Sequence, residues 1–113
     1  MRIFLFILCF SKLFGDLIYP PNNSVINHTH IMFEWEKENE TCEYNFELSN
    51  SSDFTNILFN ETISDTTILI QNNINWESNY YWRVKPVNEN YLNTFSFSIN
   101  NPSYQFTDEV SPV

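Results

Sequence analysis

The sequence predicts an all-β fold, a seven-stranded β-sandwich of two antiparallel sheets. Three observations carry that prediction. Short runs alternate apolar and polar residues with a period of two, and Asn, Asp, Ser and Pro separate them at roughly 8–12-residue spacing. No stretch carries a convincing helical period, so no helix-length crossover is available for a parallel sheet. The clean alternation gives each strand one wet face, as antiparallel sheets have. The chain has 113 residues, 42% of them hydrophobic and 18% aromatic, enough for one domain with a real core.

The first element is "MRIFLFILCFSKLFGD". Arg2 is a short positive start, Ile3 to Phe10 is a continuous apolar run, and Gly15 is a small residue before a cleavage point. Residues 1–15 therefore read as a secretory signal peptide. The run is shorter than the roughly 20 apolar residues that a membrane span needs. Leu13 is large where a small residue is favoured, so an uncleaved anchor or an N-terminal apolar strand stays open. Cys9 follows the bulky Leu8 and does not make a lipoprotein signal.

Cleavage after Gly15 removes Arg2 and Lys12. Three basic residues (Lys37, Arg83 and Lys85) then face fourteen acidic ones, a net charge of −11 against −9 for the whole chain. Such an acidic chain lacks the basic footprint that nucleic acid requires, and anionic membrane surfaces repel it. Only Cys42 remains, so no internal disulfide forms, and its thiol is expected to be buried or half-buried. Asn22, Asn27, Asn39, Asn50 and Asn60 each open an N-x-S/T sequon, candidate glycosylation sites for an exported chain.

The strands follow in order. "DLIYPPNNSVI" reads as one edge strand that tolerates Pro20-Pro21. In "HIMFEW", Ile31, Phe33 and Trp35 share one face. In "EYNFELS", Tyr44, Phe46 and Leu48 do so. "TNILFN" and "TTILI" are two short strands. In "YYWRVKPV", Tyr80, Trp82 and Val84 point inward while Tyr81, Arg83 and Lys85 point out. "TFSFSI" sets Phe95, Phe97 and Ile99 against Ser96 and Ser98. Gly15 is the only glycine, so turns fall to Asn, which tolerates positive φ; Asn22-Asn23, Asn72-Asn73 and Asn100-Asn101 are the candidates. Residues 16–100 form the domain, and 101–113 a tail or linker.

Ile74, six residues before Tyr80 in "INWESNY", resembles the tyrosine corner of fibronectin type III domains. There a leucine and a turn precede Y-x-V-x-V-x-A. Trp82, Val84 and Pro86 take the inward positions, while Trp76-Glu77 replaces the family's Pro-Gly. Trp35 is similar to the family's second-strand tryptophan, Tyr44 to its third-strand tyrosine, and "YPPNNSVI" to its usual opening. The likeness runs over about residues 17 to 100. It implies an immunoglobulin-like sandwich whose Tyr80 hydroxyl bonds back to the turn backbone, and Trp35, Tyr44 and Trp82 as core aromatics. It also implies a secreted, non-catalytic module for adhesion, spacing or protein recognition. Its partners would be extracellular or cell-surface proteins, with glycans as a second class. The domain is expected to be a monomer, without stable membrane insertion once the signal is cleaved.

No catalytic constellation emerges. His28 and His30 would share a face of a strand, but no third metal ligand has a plausible spacing. The glutamates of "EWEKENETCE" do not converge as calcium ligands do. Cys42 has no histidine near it in sequence, and no G-x-S-x-G or phosphate loop is present. No cofactor, metal or enzymatic activity is expected. The alternative function is a carbohydrate-binding accessory domain, or the N-terminal module of a larger secreted enzyme. Trp76 and Tyr81, with Tyr91 and Tyr104, are the aromatics expected at the surface as a ligand platform.

Overall fold

The computed structural model describes residues 17–37, 43–91 and 93–102. Every element among them is a β-strand: β1 (Leu17–Tyr19), β2 (Ser24–Ile26), β3 (Ile31–Trp35), β4 (Tyr44–Ser49), β5 (Ile57–Ile63), β6 (Thr67–Ile70), β7 (Ser78–Pro86) and β8 (Phe95–Ile99). They form a three-stranded sheet in the order β1-β3-β6 and a five-stranded sheet in the order β2-β8-β7-β4-β5. Residues 1–15, where a signal peptide is expected, and Asn39, Cys42, Tyr104 and the rest of residues 103–113 lie outside the described residues.

The strand count is eight rather than seven, because the first expected strand is two. Pro20-Pro21 removes two successive N–H donors, so one ladder cannot run through them. Asn23 turns the chain at φ 65°. β1 stays on β3, antiparallel, while β2 crosses to the other sheet and pairs parallel with β8. The expectation of purely antiparallel sheets therefore fails at this one pair. Asn22 Oδ1 accepts the Ser96 N–H at 2.9 Å, and the Asn23 N–H donates to the Ser96 carbonyl at 2.7 Å. These bonds fasten β2 to the start of β8.

The alternating faces match the burial. Ile31, Phe33 and Trp35 of β3 are buried, as are Tyr44, Phe46 and Leu48 of β4 and Tyr80, Trp82 and Val84 of β7. Their side chains meet between the sheets in a sandwich-like packing. Phe33 from the small sheet lies edge-on to Phe46 and Trp82 of the large one, with ring centroids 5.0 and 5.1 Å apart. Trp35 is edge-on to Tyr44 at 5.9 Å. Offset and edge-to-face contacts of this kind add about 0.5–1.5 kcal/mol per pair beyond the burial of apolar area.

Left-handed backbone occurs at Asn23, Phe54, Asn73, Glu77 and Asn88. Two of the three expected asparagine pairs supply one such residue each; Asn100-Asn101 supplies none. Phe54 and Glu77 are not residues that favour this region, and each is held by specific contacts.

Candidate functional site

Two constructions on the large sheet hold functional interest: the corner that leads into β7, and the polar–aromatic cluster on the sheet's outer face.

The corner spans residues 74–80. Ile74 is buried, and the backbone N–H of Asn75 donates to the Tyr80 hydroxyl at 2.6 Å. Glu77, at φ 57°, lies in the left-handed region that favours glycine. A residue with a Cβ gives up about 1–2 kcal/mol in this conformation. Two bonds hold it there. The Glu77 N–H donates to the Ile99 carbonyl at 2.6 Å, and its Oε2 accepts the Asn101 N–H at 2.8 Å. The corner is thus tied to the end of β8 and to the chain leaving it.

The outer-face cluster is built by register. Glu47 of β4 stands directly opposite Arg83 of β7. Arg83 Nη2 and Nε lie 2.7 and 2.9 Å from Glu47 Oε1. The guanidinium carbon sits 3.9 Å from the ring centre of Phe54 and 4.0 Å from that of Tyr91. The cation is therefore held between two rings, and Lys85 Nζ approaches Tyr91 at 5.4 Å. These contacts explain why Glu47, expected on the wet face, is buried. Burial, reinforced by the Glu47 charge and opposed by Arg83, pushes the Tyr91 hydroxyl up to about 12.

Phe54 reaches Arg83 from the β4–β5 loop, whose backbone is fixed by its own side chains. Ser49 Oγ donates to the Asn56 carbonyl at 2.8 Å, and Ser51 Oγ accepts the N–H groups of Thr55 and Asn56, each at 3.1 Å. Thr55 donates its hydroxyl and its N–H to Asp53, which holds that carboxyl below its usual range. This scaffold keeps Phe54 buried at φ 58°.

Of the four aromatics expected at the surface, three lie among the described residues. Trp76 is exposed, at 40%, in the turn before β7, whereas Tyr81 is half-buried on the outer face. Among the described residues no ring contact joins them. Tyr91, expected at the surface, is half-buried against Arg83. Its hydrophobic ring finds more favourable company on the guanidinium face than in water. His28 and His30 precede β3 instead of lying on a strand, and His28 Nδ1 contacts the His30 carbonyl at 3.0 Å. The described residues contain no group of three or more His, Cys, Asp or Glu that could hold a metal.

Of the sequon asparagines, Asn22, Asn27, Asn50 and Asn60 are exposed. Asn22 Oδ1 accepts from Ser96, and Asn50 Oδ1 from Asn56 Nδ2 at 2.9 Å. Sequence reasoning missed the Glu47–Arg83–Phe54–Tyr91 cluster. One signal was present: Phe54 is a lone aromatic in an otherwise polar loop. Its destination depends on register, which no local pattern supplies.

Comparison with known proteins adds no relative: no family model matches the chain, and no curated protein or solved structure matches it either.

Proposed function

We propose that this chain is an exported, non-catalytic module of the fibronectin type III kind, within the immunoglobulin-like sandwiches, and that it works by recognising proteins through its loops and strand edges. The observation that supports this reading is the strand order. Labelled along the chain as A, A′, B, C, C′, E, F and G, the strands make sheets A-B-E and A′-G-F-C-C′, an order similar to that of immunoglobulin-like sandwiches. The Tyr80–Asn75 bond falls where such a sandwich has its tyrosine corner. Function lives in sites rather than folds, so the recognition role rests on analogy.

The test has two arms. The full chain, with Met1 to Gly15 in place, is expressed in a eukaryotic secretory host. The medium is then examined for soluble protein beginning at Asp16. Protein kept inside the cell with Met1 intact overturns export. The purified domain is next presented to panels of extracellular proteins and of glycans. Protein partners whose binding is lost on changing loop residues support the reading. Glycan binding abolished by Trp76→Ala, with the fold intact, replaces it with the carbohydrate-binding one.

A further inference from the structure

An open β-sheet edge carries unpaired backbone groups that template pairing with another chain, and proteins blunt such edges by shortening them or by ending them with proline. Among the described residues, three of the four sheet edges are blunted in this way. β1 has three residues and runs into Pro20; β2 has three and follows Pro20-Pro21; β6 has four. The fourth, β5, has seven residues and contains no proline or lysine. It is rich in β-formers, with Ile57 39% exposed and Leu58, Phe59 and Ile63 half-buried. Its single charge is Glu61.

The residue at the midpoint of this strand is Asn60, and Asn60-Glu61-Thr62 is a sequon. It is the only one of the four described sequons whose asparagine lies inside a strand. Asn60 stands opposite Glu47 on the outer face, exposed, and its carboxamide makes no hydrogen bond among the described residues. The Thr62 hydroxyl donates to Asn45 at 3.1 Å.

We propose that Asn60 is an N-glycan acceptor whose glycan closes the β5 edge against pairing; this rests on the export reading above. The donor is a lipid-linked oligosaccharide diphosphate of the host's secretory membrane. Asn60 Nδ2 forms a bond to C1 of the first sugar as the C1–O bond breaks. The polyprenyl diphosphate leaves with that electron pair, and the amide nitrogen gives up one proton. The placement explains the effect. Two copies pairing antiparallel through β5, with their ladder centred, would bring Asn60 opposite Asn60, with Cβ atoms about 5 Å apart. Two glycans cannot begin from points that close and leave the ladder intact. Pairings shifted by two residues still put both glycans beside the seam.

The full chain secreted from a eukaryotic host is digested, and each sequon is read by mass spectrometry before and after enzymatic removal of N-glycans, which turns an occupied Asn into Asp. Asn60 is expected to be occupied in wild type and Thr62→Ser, and bare in Thr62→Ala. Asn60→Gln is expected to shift from monomer to dimer or larger in sedimentation velocity. A second change, Ile57→Lys in the Asn60→Gln background, is expected to restore the monomer by placing charge on the edge at a residue that is already exposed. Exported protein with Asn60 bare, whether or not Asn27 is occupied, overturns the proposal and leaves export standing. Occupied Asn60 with a monomeric Asn60→Gln variant overturns the edge-closing role. Protein that keeps Met1 and never enters the secretory route overturns the export reading and this proposal with it.

Discussion

The Tyr80 hydroxyl accepts the backbone N–H of Asn75, five positions earlier, at 2.6 Å, closing a turn at the entrance to the central strand of the large sheet. Tyr80 is buried, while its neighbour Tyr81 faces the outer side of the same sheet. Removing each hydroxyl therefore tests one bond against almost none. Tyr80→Phe is expected to lower the urea-unfolding free energy by about 1–3 kcal/mol, because the Asn75 donor loses its partner inside the protein. Tyr81→Phe is expected to stay within about 0.5 kcal/mol of wild type. Equal costs for the two would mean that the bond does not carry the corner.

Arg83 and Glu47 form the second relationship open to test. Side-chain exposures of 26% and 10% make the pair partly buried. Arg83→Met keeps much of the apolar stem but leaves the Glu47 carboxylate without its cation, and it removes the charge held between Phe54 and Tyr91. A loss of about 2–3 kcal/mol in chemical denaturation is expected, below the range for fully buried pairs. Adding Glu47→Gln should recover part of that loss, since the stranded charge is what costs most. A double variant as unstable as the sum of the two single ones would mean the residues act independently. Arg83→Lys should also be destabilising, because an ammonium cannot lie flat between two rings.

Much of the fold was legible because alternation is a local signal. Phe33, Phe46 and Trp82 could be placed inside from their own strands, and the structure brings them into contact. The split of the first strand was less legible. Proline marked the break, but nothing local said that the chain would change sheets after it. Glu47 shows the same limit at the candidate site. Its place on the outer face followed from alternation, whereas its burial depends on Arg83, 36 residues away, and on a loop phenylalanine held at positive φ. Those are facts of register and turn geometry, which the pattern of apolar residues does not encode.

Glu77 sits at φ 57° in a position suited to glycine. Comparing Glu77→Gly with Glu77→Ala isolates the backbone, since both lose the carboxylate that accepts the Asn101 N–H. Alanine keeps the clash between Cβ and backbone, while glycine removes it and loses more entropy on folding. The glycine variant is expected to be the more stable by about 1 kcal/mol. A melting temperature for the alanine variant equal to or above that of the glycine variant would show that residue 77 leaves the left-handed region in solution.

Tyr91 makes the domain's stability depend on alkaline pH. Burial, with the Glu47 charge next in weight, raises its hydroxyl from 10.0 to about 12. The folded state therefore holds this proton more tightly than the unfolded state does. That contribution is fully present below pH 10.0 and is lost as pH rises through about 12. Between those values the phenolate begins to form in the unfolded chain first, and folding stability falls. Tyr91→Phe should flatten this part of the urea midpoint against pH curve relative to wild type. Absorbance of the folded protein near the phenolate band should include a late phase from Tyr91, and that contribution should be lost in the variant. A late phase retained in Tyr91→Phe would assign it to another tyrosine and remove Tyr91 as the source of the alkaline dependence.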